Sequence, residues 1–204
     1  LKDNQCIKLA VITSCLKIAK ESIFTGTNNF VSNTITSSRL NEYYGFVQNE
    51  VDRILEDAEI KGKGDIVKKW YDGYHFGDVD VYCPCDVMCY VDDLQKNPNA
   101  KPDEYWKDTS DNAIIRSFID YAGASITKKL ETLMNGGYII QRVDENLTYD
   151  YLHSSEENLW SLMYLTGYLT QVRDYKIDDG WQDNMVALKI PNLEIKQIFE
   201  TEVS

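Results

Sequence analysis

The chain has 204 residues, enough for one medium-sized domain or two small ones with a core that needs no disulfide bonds. Apolar residues make up 43% and charged residues 26%, an ordinary globular composition that excludes collagen-like, disordered and membrane-embedded proteins. The net charge of −12 is spread evenly, since residues 1–111 carry 13 basic and 19 acidic side chains and residues 112–204 carry 8 and 14. Such a charge opposes non-specific binding to nucleic acids and anionic lipids.

The ends of the chain and its cysteines indicate a cellular context. The chain opens with Leu1 and lacks a signal-peptide pattern or a long apolar segment, so we expect a preceding part to be missing and no membrane partner. Its five cysteines are an odd number in a chain large enough to fold without disulfides. This favours reduced thiols and a cytoplasmic location.

The first predicted element is a strand over residues 9–16, which are mostly apolar and β-branched. Strands buried on both faces belong to parallel sheets, because both faces and both edges need neighbours. No second run of this type follows in the first half of the chain, so we expect most of that sheet to lie upstream of Leu1. Residues 25–38 are rich in turn formers, with a short strand expected near Phe30 to Ile35.

Helices are predicted next. Asn49–Ile60 has four apolar residues at helical spacing, Val51, Ile54, Leu55 and Ala58. Asp65 is expected to cap a short helix. The following elements are an aromatic turn over 71–77, a helix over 86–94 and a loop over 97–102.

The second half has the order helix, helix, strand, helix, hairpin, which is the order of a winged-helix domain. The first two helices are expected after Asp111 and near Ser125, and Ser154 with Glu157 forms a predicted capping box for the third. Strands are expected from Tyr138 onward, over 168–175 and over 185–190. A last helix after Pro191 and Asn192 has the apolar positions Leu193, Ile195, Ile198 and Phe199.

Three kinds of motif bear on the chemistry of this chain: nucleotide-binding, nuclease and zinc-binding motifs. No G-x-x-x-x-G-K-[ST] and no G-x-G-x-x-G motif occurs, so these residues alone are not expected to bind or hydrolyse ATP. Glu194-Ile195-Lys196 has the residue types of a Mg²⁺-dependent nuclease, but a carboxylate in the first turn of a helix already stabilises the helix dipole. Cys83, Cys85, Cys89 and His75 are alternative zinc ligands, although the spacing favours buried thiols.

Segments in both halves carry a family resemblance. They are residues 11–29, 70–77, 81–84, 105–106, 144–149, 157–162, 166–170 and 190–194. Together and in this order they resemble the AAA-ATPase-like family of bacterial proteins, in which an ATPase module precedes a PD-(D/E)XK nuclease-like domain. The chain departs from the family at Cys85, where Trp is frequent, and at Lys17, where Arg is frequent.

The resemblance implies that the Walker A and Walker B elements lie upstream of Leu1 and that the nuclease-like domain begins near or beyond Ser204. Residues 10–14 would be the strand beside the Walker B strand, with Thr13 and Ser14 at the position of a polar sensor facing the γ-phosphate. Lys17 completes this set of nucleotide-binding candidates, although Lys cannot make the bidentate phosphate contact of Arg. No catalytic residue and no metal ligand is assigned.

We therefore predict an α+β, mainly helical fold with three parts: the C-terminal end of a P-loop-type α/β core (1–45), a helical lid (46–110) and a winged-helix-like domain (111–204). The predicted function is to couple the nucleotide state of an AAA/STAND-type ATPase-like protein to a partner or to the nuclease-like domain in cis. We expect that the fragment itself is not an enzyme and holds no cofactor. ATP and Mg²⁺ are expected to bind only to the intact protein.

The alternative function is a non-catalytic protein-interaction module. DNA binding is a weaker version of it, because residues 156–167 include two Glu and no basic residue.

Overall fold

The computed structural model describes residues 33–108, 123–145, 155–173 and 184–203, together with the single residues Cys6, Lys8, Leu9, Val11, Val31, Ile115, Leu147 and Tyr175. This part of the chain has the predicted α+β fold. It contains two small antiparallel sheets. The helices are α1 (Gln48–Asp57), α2 (Gly64–Tyr71), α3 (Pro84–Lys96), α4 (Ala124–Met134), α5 (Glu156–Leu165) and α6 (Leu193–Val203). The strands are β1 (Tyr74–Phe76), β2 (Val79–Val81), β3 (Ile139–Arg142), β4 (Thr170–Gln171) and β5 (Met185–Lys189).

The first core lies between α1, α2 and α3. The predicted stripe of α1 is confirmed, since Val51 and Leu55 are buried and Ile54 and Ala58 pack against the same cluster. Asp65 does not cap α2, which begins at Gly64 after Lys63. The rest of the first core consists of Val67, Tyr71, Tyr82, Val87, Tyr90, Val91 and Leu94.

A hairpin of β1 and β2 follows α2, with Tyr74 opposite Val81 and Phe76 opposite Val79. The predicted aromatic turn over 71–77 is therefore wrong in its second half. The turn is made by Gly77 and Asp78, and Gly77 has a φ of 58°, which two-residue hairpin loops favour. A Gly-Asp pair between two short apolar runs is a hairpin signal that the sequence carries.

The second core lies between α4, α5, α6 and a three-stranded sheet of order β3-β5-β4. The strands predicted from Tyr138 and over 185–190 are confirmed, with Ile139 opposite Leu188. Among the described residues of the strand predicted over 168–175, only Thr170 and Gln171 form a strand, with Thr170 opposite Lys189. The predicted capping box of α5 is wrong, because Ser155 is the N-cap and its Oγ accepts a hydrogen bond from the Asn158 N–H at 3.2 Å.

Other predictions fall on residues that the structure describes in part or not at all. Of the predicted strand over 9–16, only Leu9 and Val11 are described, and both side chains are exposed. Of the predicted helix after Asp111, only Ile115 is described, and it is buried in the second core. The Ser37 N–H donates to the Thr34 carbonyl at 2.9 Å and closes a turn at residues 34–37. Residues 33–35 therefore form no strand, and the strand expected near Phe30 to Ile35 is wrong for these three residues.

None of the helices in the described ranges combines the length and the apolar character needed to cross a membrane.

The two cores meet along β1 and the start of α6. The His75 N–H donates to Thr170 Oγ1 at 2.9 Å, which joins the hairpin to the edge strand β4. Gly73, with a φ of 106°, lies so close to Pro191 that a Cβ there would be 2.2 Å from the Pro191 carbonyl oxygen. Only glycine fits this contact without moving the backbone.

We expect Gly73→Ala to lower the free energy of unfolding by about 3 kcal/mol, because it adds a clash with Pro191 to the cost of a positive φ. Gly62→Ala is the matched control, since Gly62 also has a positive φ but an added Cβ meets no atom within 4 Å. The control should cost about 1 kcal/mol. Urea denaturation measures both values, and equal losses would show that the approach to Pro191 is not a constraint.

Candidate functional site

Segments far apart in the sequence converge between the two cores. They are 70–77, 81–84, 105–106, 166–170 and 190–194, all among the segments that carry the resemblance. At Gly167 an added Cβ would lie 3.3 Å from Trp106 and 3.5 Å from Tyr74, and the rings of Trp106 and Tyr168 have centroids 4.9 Å apart. We call this place the junction and define it by Tyr71, Tyr74, Cys83, Asp86, Trp106, Asn192 and Glu194.

A pair of buried acids occupies the junction. Asp86 lies in the first turn of α3 and Glu194 in the first turn of α6, and both residues are 0% exposed. Glu194 Oε1 accepts a hydrogen bond from the Trp106 backbone N–H at 2.9 Å. Among the described residues, Glu194 Oε2 and both Asp86 oxygens lack a partner at ordinary hydrogen-bond geometry. Unpaired buried carboxylate oxygens are costly, so their protonation matters.

The environment favours the protonated form of these acids. Burial, and next the charge of the neighbouring Asp86, raises the pKa of Glu194 to about 9. Burial also raises the pKa of Asp86, while interactions with Cys83 and Glu194 oppose that shift. Two carboxylates in one dry site do not ionise together, so the pair retains a proton at neutral pH.

Neutral polar groups surround the acids. Burial raises the pKa of Tyr74, and burial likewise raises the pKa of Tyr71, whose hydroxyl donates to the Asp103 carbonyl at 3.2 Å. Asn192 Oδ1 accepts from the Ile195 N–H at 3.0 Å and thereby caps α6. Burial, followed by the nearby Asp86, raises the pKa of Cys83. At the junction the acid pair is thus enclosed by neutral polar groups, which favours retention of a proton by the pair.

Two polar clefts lie away from the junction, where β3 ends near α5. One, of about 290 Å³, is lined by Arg142, Val143, Asp144, Glu157, Asn158, Ser161 and Asn184. The adjoining one, of about 350 Å³, is lined by Thr36, Val143, Asp144, Glu145, Asn184 and Val186. Ser161 Oγ accepts from the Asp144 N–H at 3.0 Å and donates to the Glu157 carbonyl at 2.9 Å. This hydroxyl is therefore engaged in holding β3 to α5.

The residues predicted from the sequence have different outcomes. Thr13, Ser14 and Lys17 lie outside the described residues. His75 Nδ1 is 2.9 Å from Asp80 Oδ1, and Asp80 also pairs with Arg173 at 2.5 Å. Across the described ranges, no group of three or more His, Cys, Asp or Glu is arranged to hold a metal ion, so His75 and the cysteines are not brought together as zinc ligands.

Glu194 shows what sequence reasoning missed. Its place in the first turn of α6 is confirmed, but its burial beside Asp86 was not foreseen. The sequence carries no local signal for this burial, because an acid in the first turn of a helix is ordinary.

We expect Glu194→Gln to reduce the fall in stability with rising pH. The folded pKa of about 9 lies above the ordinary 4.5, so the protonated form is the stabilising one. Its contribution is complete below the unfolded pKa and is lost as pH rises toward 9. Glutamine mimics the protonated acid, so the variant should be more stable than the natural chain by about 5 kcal/mol near pH ~8.5 and by less than about 1 kcal/mol near pH ~5.

Urea denaturation over this pH range measures the effect. Glu200→Gln is the control, since Glu200 lies on the same helix with its side chain 55% exposed. The control should leave the pH dependence unchanged. If Glu194→Gln loses the same stability at every pH, Glu194 is ionised in the fold and the account of the junction is wrong.

Comparisons with known proteins add one relative. No family model matches the chain. No solved structure matches it. The chain is similar to an uncharacterized protein in the vnfD 5' region of Azotobacter chroococcum mcd 1, with 26% identity over 198 residues. The match covers 96% of this chain and 34% of that protein, so the chain spans about a third of the length of its relative.

Proposed function

We propose that this chain is the lid and winged-helix-like portion of a bacterial, cytoplasmic AAA-ATPase-like protein. It couples the nucleotide state of a P-loop core to a partner or to a downstream nuclease-like domain. Residues 1–45 are assigned to the end of the core, 46–110 to the lid and 111–204 to the winged-helix-like domain. Thr13, Ser14 and Lys17 are the proposed sensor-like residues, and ATP with Mg²⁺ belongs to the intact protein.

The topology of the second core supports the winged-helix part of the proposal. Helix α4 precedes β3, and α5 lies between β3 and the β4–β5 pair. Strand β5 pairs with β3 on one side and β4 on the other, both antiparallel. In the predicted winged-helix order, the C-terminal hairpin pairs with the strand that precedes the third helix. The pairing of β5 with β3, which precedes α5, agrees with this order.

The observation that carries the proposal is the contact of residues 34–37 with the β1–β2 hairpin and with the second core. Thr34 Oγ1 and Thr36 Oγ1 donate to the Glu145 carboxylate at 3.0 and 2.7 Å, beyond the end of β3. The Gly77 N–H donates to the Ile35 carbonyl at 3.0 Å, and the Ile35 side chain packs against the second core. A displacement of this segment would act on the β1–β2 hairpin and on the three-stranded sheet together.

In the proposed assignment this segment belongs to residues 1–45, the end of the ATPase core. We propose that the segment moves with the core and acts directly on the hairpin and on the second core, so that coupling requires no continuous pathway. The junction would transmit the displacement between the cores, since α3 and α6 are held there through Asp86, Glu194 and Trp106.

In the intact protein we expect Mg²⁺·ATP to change amide hydrogen exchange in residues 33–38 and in β3. Glu145→Ala should remove the change in β3, because it removes the acceptor of both threonine hydroxyls. Glu131→Ala, at an exposed position of α4, is the control and should leave the response intact. A response of β3 that survives Glu145→Ala, or the absence of any nucleotide effect on 33–38, would rule out this coupling.

The alternative, a protein-interaction module that uses no nucleotide, is favoured by one surface feature. A 3₁₀ turn at Asn41–Tyr43 carries exposed apolar side chains, with Tyr43 75% exposed and Leu40 and Tyr44 exposed beside it. Exposed aromatic residues are common at protein interfaces.

Binding to duplex DNA through α5 is not expected, because α5 has Glu156 and Glu157 in its first turn and no basic residue. Fluorescence anisotropy of this chain with labelled duplex should show no salt-dependent association. An affinity that falls steeply with added salt would place phosphate contacts on this chain and favour a DNA-binding module.

A further inference from the structure

Helix α3 has two faces of different composition. Its core face carries Val87, Tyr90, Val91 and Leu94, all buried. The opposite face carries Cys85, Met88 and Cys89, at positions i, i+3 and i+4. Cys85 is exposed, Met88 is 47% exposed and Cys89 is half-buried. Cysteine and methionine are among the most often buried residues, so three sulfur side chains on an outer face need an explanation.

The two thiols of this face are neighbours. Residues three and four apart lie side by side on a helix surface. Cys85 and Cys89 are therefore neighbours on the surface of α3, and burial followed by the presence of Cys85 raises the pKa of Cys89. Cys83 does not belong to this face, since its thiol interacts with Asp86 at the junction. Cys85 and Cys89 therefore form a separate pair, with Met88 beside them.

The chemistry of these ligands selects a class of metal ion. Thiolate and thioether sulfur are soft ligands that suit Cu(I), whereas structural zinc takes four ligands in a tetrahedral arrangement. The next residue on this face, Asp92, pairs with Lys96, and His75 pairs with Asp80. We propose that Cys85 and Cys89, with Met88 as a third and weaker ligand, form a binding site for monovalent copper.

Binding is an exchange of protons for metal. Each thiol loses its proton to solvent, two S–Cu bonds form, and the product carries a charge of minus one at the metal. Copper enters and stays as Cu(I), so no electron is transferred. Affinity should therefore fall as pH falls, because protons compete for both sulfur atoms.

The test uses the full chain, reduced and kept without oxygen, titrated with Cu(I) alone against a chromophoric Cu(I) chelator. We expect one bound equivalent, which Cys85→Ser and Cys89→Ser each abolish. Met88→Leu should weaken binding about tenfold, the order of magnitude of a supporting interaction at a metal site. Cys6→Ser is the control, since Cys6 is exposed outside α3 and its removal should leave binding unchanged.

Circular dichroism checks that the variants keep their helix content, which is expected because the substituted face lies opposite the first core. Cu(I) binding that survives Cys85→Ser or Cys89→Ser would overturn the proposal. So would loss of binding in Cys6→Ser, or tighter binding of Zn²⁺ by the same cysteines in an equivalent titration.

Discussion

The buried contact between Asp86 and Glu194 is the constraint on which the arrangement of the two cores depends. It joins the first turn of α3 to the first turn of α6, and each helix belongs to a different core. Removing two carboxylates from water costs several kcal/mol for each charge that remains. The chain reduces this cost by retaining a proton and by the Trp106 N–H that Glu194 accepts. The approach of Gly73 to Pro191 then keeps β1 against the same helix start.

The sequence predicted the elements whose signals are local. The apolar spacing of α1, the helix predicted over 86–94 after Pro84 and the alternation of β5 are read within a few residues, and all three elements formed. The acid pair has no local signal, because Asp86 and Glu194 each look like an ordinary first-turn acid. Their pairing follows from the packing of two cores, which no single segment encodes.

The wrong predictions have physical reasons of the same kind. Ser154 and Ser155 both suit an N-cap, and the choice between them is decided by where the helix packs rather than by the residue type. Gly73 and Gly77 flank the aromatic run after Asp72, and glycines at such positions locally favour a turn. The pairing of Tyr74 and Phe76 with β2, and the burial of Tyr74 at the junction, override that local preference.

Five of the eight segments that carry the resemblance meet at the junction, whereas residues of 144–149 and 157–162 line the two polar clefts. Glycines at close approaches, a tryptophan amide and two buried acids specify how two cores meet, and such a requirement restricts residue choice as strongly as chemistry does. The outer face of α3 is free of that requirement. Cys85 lies on this face beside Cys89. Helix α3 thus carries the buried acid Asp86 at the junction and the thiol pair of Cys85 and Cys89 on its outer face.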